Sequence, residues 1–132
     1  MTNTFPAQRR LSVLLWLIAL HSCGVGILLI FRPAFLMAWA GFSLDVEPFF
    51  PVQNGVFHLV LAVGYALAAA PSLRNRSLVV FTVIVKSMAA IFLFSYYAIF
   101  DPRWVILWSG IGDGAMAAAV WISLRAAERE RG

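Results

Sequence analysis

The stretch from Leu78 to Phe100, LVVFTVIVKSMAAIFLFSYYAIF, decides the fold. It is 23 residues of almost unbroken apolar character. About 20 helical residues span the hydrocarbon core of a bilayer, so the run reads as a transmembrane helix. After a three-residue turn, Asp101-Pro102-Arg103, a second such run follows from Trp104 to Leu124. Upstream lie two more, Leu11 to Phe31 and Val52 to Ala70. Their ends are punctuated. Arg9 and Arg10 precede the first run and Arg32-Pro33 closes it; Pro51 and Pro71 bound the second, and Arg74 and Arg76 precede the third.

The expected fold is therefore all-α, an antiparallel bundle of four transmembrane helices forming one domain over residues 1–132. The spans fall at about 11–31, 52–70, 78–100 and 104–124. Phe35, Leu36, Met37 and Trp39 add a short interfacial helix to the first outer loop, ahead of an acidic stretch bounded by proline. Trp104 and Trp121 read as interfacial anchors of the last span. Composition agrees: 62% of residues are hydrophobic and 12% charged, roughly half the charged fraction of a soluble domain. A soluble chain of this size would leave much of that apolar surface in water, whereas lipid removes the problem.

A net charge of +4 does not indicate nucleic acid, because the basic residues sit at the ends of the apolar runs. Arg9, Arg10, Arg74, Arg76, Arg125, Arg129 and Arg131 fall on one side, and only Arg32 and Arg103 on the other. Arginine crowding marks the cytoplasmic side, so both termini are expected in the cytoplasm of a multi-pass protein of the inner (plasma) membrane. The sequon Asn75-Arg76-Ser77 then faces the cytoplasm and escapes glycosylation. The first run is too long for a signal h-region, and no cleavable signal is expected. The single cysteine, Cys23, excludes an intrachain disulfide and any Cys-x-x-Cys redox or zinc motif; it reads as an ordinary buried thiol, and no metal site is expected.

Four polar residues interrupt the apolar runs: His21, His58, Lys86 and Asp113, one per span. At about 1.5 Å of rise per residue, all four lie within roughly 6 Å of one another in depth. A charged side chain there costs about 2.5–3.5 kcal/mol on insertion scales, so each should face the bundle interior. Asn54, His58 and Tyr65 share one face of the second helix, with Val56, Val60, Val63 and Leu67 largely elsewhere. Thr82 precedes Lys86 by one turn and Ser109 precedes Asp113 by one turn. Gly110, Gly112, Gly114, Ala117 and Ala118 permit close helix approach. Lys86 and Asp113, on consecutive antiparallel helices, are expected to pair.

Two readings follow. The pair is polar glue that sets the register of the bundle, with the histidines satisfied by backbone or serine oxygens. Otherwise His21, His58, Lys86 and Asp113 form a site, with Asn54, Tyr65, Thr82 and Ser109 as ligand-binding neighbours. Intramembrane ionisable residues favour the second. Such a site would bind or transform a small lipid-soluble or acidic molecule, with histidine as a proton carrier near neutral pH. The alternative is a non-enzymatic subunit or assembly factor of a larger membrane complex; the partners expected are the lipid bilayer, the small ligand, and a homo-oligomer or larger membrane complex. A small cytochrome b with haem between His21 and His58 ranks last, since Lys86 and Asp113 would crowd it.

The segment NGVFHLVLAVGYALAA (54–69), the lysine of the third span and GIGDGAMAA (110–118) resemble small bacterial four-helix integral membrane proteins of the loosely DoxX-like kind. The resemblance covers most of the chain. It implies the four-helix architecture and a polar interior, and it implies no particular reaction. The chain departs from small multidrug exporters, which carry a glutamate in the first helix, and its one cysteine excludes disulfide-forming quinone reductases.

Overall fold

The computed structural model describes residues 6–45 and 47–130. Five helices run in order: α1 Pro6–Phe31, α2 Ala34–Trp39, α3 Phe49–Ala69, α4 Arg76–Ile99 and α5 Trp104–Arg129. No strand occurs among the described residues. Four of the helices are long and apolar enough to cross a membrane, and α2 is the short helix expected after the first span. Arg131 lies outside the described residues.

The helices outrun the apolar runs at both ends of the chain. α1 starts at Pro6 rather than at position 11, and α5 continues to Arg129 rather than stopping at 124. Proline suits a first helical position, where its missing N–H is an orphan anyway. α3 likewise starts at Phe49, placing Pro51 within its first turn, where proline is tolerated. Asn75 caps α4, its side chain accepting from the backbone N–H of Leu78 at 2.9 Å, which satisfies one of the unpaired donors of the first turn.

The apolar side chains are turned outward. Leu20, Val60, Ile91, Trp108 and Ile122 are 63–67% exposed, an inverted pattern that suits a lipid surface. α1 packs mainly on α3, and α4 mainly on α5; α1 with α5 and α3 with α4 meet over shorter lengths. The buried apolar core joining the two pairs sits toward the end that carries the termini. It comprises residues of α1 up to Ala19, Tyr65 to Ala69 of α3, Val79 of α4 and Val120 to Ala127 of α5.

Polar ties close that end. The backbone N–H of Ala7 donates to the Glu130 carboxylate at 3.2 Å, and Arg76 bonds Glu128 at 2.8 Å. Arg74 donates to the last carbonyls of α3, Ala68 O and Ala69 O, at 2.7 Å each, and reaches Gln8 and Ser12 of α1. A cation here satisfies helix carbonyls that lack intrahelical partners.

At the other end a strap crosses between the pairs. Arg103 donates to Gly41 O at 2.7 Å and lies over the Phe42 ring at 4.7 Å. Trp39 and Trp104 meet edge to face with centroids 4.6 Å apart, so Trp104 is a packing contact as well as a terminal aromatic. Arg32 and Gly41, which flank α2, both take positive φ, 46° and 81°. For arginine that conformation is uncommon; its guanidinium donates to Leu44 O at 3.1 Å and holds the turn.

Within each pair, small residues set the approach. A Cβ on Gly26 would lie 2.8 Å from Gly55 O, and one on Gly55 would lie 2.7 Å from Gly26 O. The backbones of α1 and α3 therefore touch. Between α4 and α5, a Cβ on Gly110 would meet Phe94 at 3.1 Å and one on Gly114 would meet Ala90 at 3.7 Å. Two of the five small residues expected at this seam do not serve it. Gly112 meets only Met116 of its own helix, and Ala118 is exposed, because each falls off the buried stripe Ile106, Gly110, Asp113, Ala117.

Candidate functional site

Lys86 and Asp113 do pair. Nζ of Lys86 donates to Oδ1 of Asp113 at 2.6 Å, joining α4 to α5, and the two residues are 3% and 8% exposed. The ammonium also sits over the Tyr65 ring, 5.7 Å from its centroid, a favourable place for a cation. Tyr65 and Thr82 are each 1% exposed. Thr82 donates back to Leu78 O at 3.0 Å, so its hydroxyl is spent on its own helix. Tyr65, Thr82, Lys86 and Asp113 form a closed floor.

The histidines divide. His58 is half-buried and engages Ser22, which is buried between α1 and α3. Ser22 Oγ lies 3.2 Å from His58 Nδ1 and donates to the His58 carbonyl at 3.1 Å. One arrangement satisfies both contacts: the hydroxyl gives its proton to the carbonyl and accepts from Nδ1–H. Nε2 is then the acceptor nitrogen of His58.

His21 corrects the expectation of a buried interior group, because it is exposed. It follows Ala7 and Leu14 at heptad spacing, and Ala7 meets Glu130 at the end of α5 through its backbone N–H. Asn54 and Ser109 are exposed as well, although both lie on inward faces. Asn54 shares its stripe with Leu61, Tyr65 and Ala68; Ser109 shares its own with Asp113, Val120 and Ala127. Lower on the same stripes, Tyr65, Ala68, Val120 and Ala127 are buried. The exposure therefore reflects the neighbours drawing away, not the helices turning.

The core joins the two helix pairs at the terminal end, and the exposure of His21, Asn54 and Ser109 reads as a crevice between the pairs on the loop side, bridged at its rim by the Trp39–Trp104 and Arg103–Gly41 contacts. Measured along each helix from the loop end, Asn54 and Ser109 lie about 7–8 Å down. His21, His58 and Asp113 lie about 14–15 Å down, and Lys86 about 20 Å. Both histidines are within electrostatic reach of Lys86 and Asp113. Of the eight residues singled out in the sequence, His21, Asn54 and Ser109 are exposed, His58 is half-buried, and Tyr65, Thr82, Lys86 and Asp113 are buried.

Ser22 and the Gly26–Gly55 contact were missed in the sequence. Ser22 offered a signal, a hydroxyl one position from a histidine in an apolar helix, but its partner could only come from another helix. Cys23 is partly exposed rather than buried, since it lies beyond the α1–α3 contact face. Two open grooves on the outside of the bundle contain none of the eight residues. One, of about 550 Å³, follows α1 from Pro6 to Leu17. The other, of about 410 Å³, runs between α4 and α5 around Ala90, Gly114 and Trp121.

No group of three or more His, Cys, Asp or Glu among the described residues could hold a metal ion. Haem between His21 and His58 does not fit either. Two axial histidines require the macrocycle to lie between their helices, and α1 and α3 touch backbone to backbone about one turn from Ser22. Compared with models of known protein families, with curated proteins and with solved structures, the chain finds no match.

Proposed function

We propose that this chain is a multi-pass protein of the inner (plasma) membrane, with both termini in the cytoplasm, that binds a small lipid-soluble or acidic molecule in the crevice. The arginine bias of the terminal end supports the orientation, and it makes the crevice open outward. One observation carries the binding reading. His21, Asn54 and Ser109 are exposed on inward-facing stripes, level with or nearer the loop end than the buried Lys86–Asp113 pair. Glue alone needs the pair and gains nothing from a polar lining on an open crevice. The lining supplies hydrogen-bond donors and acceptors, and the floor supplies one positive and one negative group that can exchange a proton with the occupant.

The test is mass spectrometry of small molecules that travel with the protein out of its own membrane. The wild type should carry a species that the Lys86→Met/Asp113→Leu double variant, folded to a comparable degree, lacks. The same molecules on both would show that the pair does not hold them.

A second reading, a subunit of a larger membrane complex, is favoured by the groove floored by Ala90, Gly114 and Ala117. Small residues let another membrane helix approach closely. A stable protein partner recovered in fixed proportion from native membranes would support it.

A further inference from the structure

The ionisable lining of the crevice is sparse, and its charges sum to zero. Facing it are His21 from α1, His58 and Tyr65 from α3, Lys86 from α4 and Asp113 from α5. Lys86 and Asp113 are the only Lys, Arg, Asp or Glu residues in the four apolar runs, and they are bonded to each other. An occupant that kept a net charge would lack a counter-charge at this depth, which low-dielectric surroundings penalise. A neutral occupant beside the buried pair incurs no such penalty.

The bridge itself is one-pronged and lopsided. Lys86 reaches Oδ1 alone, and the Asp113 side chain keeps 12% exposure against 3% for Lys86. Of the two groups, the carboxylate is the more accessible. A carboxylate at the floor of the crevice is a proton acceptor, and the cation bonded to it is a ready partner for whatever anion the proton leaves behind.

We propose that the crevice takes a lipophilic carboxylic acid in its undissociated form and binds it by proton exchange with the Lys86–Asp113 pair. This rests on the reading of the crevice as a binding site. The O–H bond of the ligand breaks and an O–H bond forms at Asp113 Oδ2. The ligand carboxylate then replaces Asp113 as the partner of Lys86 Nζ. One ion pair is exchanged for another, the site stays neutral throughout, and no oxidant or further reactant is needed. The flexible lysine stem makes the change of partner possible without moving a helix.

The experiment uses the full chain in lipid nanodiscs with decanoic acid carrying 13C at its carboxyl, and 1-decanol and methyl decanoate as neutral counterparts. Below the pH at which the acid ionises in protein-free nanodiscs, infrared difference spectra should show the bound label as carboxylate. A new protonated-carboxyl band should accompany it and vanish in Asp113→Asn. The acid should raise Tm by several degrees, the alcohol and ester should not, and the Lys86→Met/Asp113→Leu double variant should show no response. A bound label that stays protonated, or equal stabilisation by the alcohol, overturns the proton exchange while leaving the crevice as a binding site. Should none of the three bind and no small molecule travel with the native protein, both readings fall.

Discussion

Gly26 and Gly55 meet where α1 crosses α3, each standing so close to the other's carbonyl oxygen that a Cβ would fall at 2.7–2.8 Å. This contact brings the two helices together backbone to backbone at their crossing. It also brings Ser22 onto His58, two positions of the site that neither helix could set alone.

Gly26→Ala and Gly55→Ala should each lower thermal stability in detergent, since the obstacle is backbone and cannot rotate aside. Overpacking of a tight contact typically costs about 1–3 kcal/mol. Gly24 and Gly64 have open space where a Cβ would go, so alanine there should leave Tm unchanged or slightly raised. Equal effects at all four positions would show that the helices do not cross at Gly26 and Gly55.

The Lys86–Asp113 pair should behave as a unit. Lys86→Met or Asp113→Leu alone leaves an uncompensated buried charge, at a typical cost of about 3–5 kcal/mol. The double variant should regain much of that stability, because no charge remains to desolvate. A double-mutant cycle read from detergent melting measures the coupling; additive losses would mean that the two do not interact.

Orientation is tested by single cysteines in a Cys23→Ser background. Ser43 and Ser72 are both exposed and lie at opposite ends of the bundle. With the termini cytoplasmic, Ser43→Cys should react with an impermeant maleimide on intact cells and Ser72→Cys only after lysis. The reverse order would invert the chain in the membrane.

Much of this architecture was legible in the residues because a membrane span has a fixed length and a strong composition. The run containing Lys86 announces both a helix and an anomaly inside it. Helix ends were less legible. Gln8 and Arg125 to Arg129 look like loop by hydropathy, yet nothing at the interface stops a helix that caps its carbonyls and tethers its tail, as Arg74 and Glu130 do here. The crevice was not legible at all. His21, Asn54 and Ser109 read as interior by helical period, and period reports the direction a side chain takes. It does not report how far away the neighbouring helix stands, which depends on where the core and the polar ties join the two pairs.

The most direct measurement is therefore aqueous access to the crevice walls. Asn54→Cys and Ser109→Cys, in the Cys23→Ser background and in lipid, are compared with Val56→Cys and Trp108→Cys. Those last two lie at similar depth on the outer faces and are themselves well exposed in the isolated protein, at 47% and 63%. A small hydrophilic maleimide should label Asn54→Cys and Ser109→Cys readily, because water fills the crevice, and should barely touch the two controls, because lipid covers them. Labelling of Asn54→Cys and Ser109→Cys no faster than the controls would mean that the helix pairs close against each other in the membrane, and the crevice would not exist.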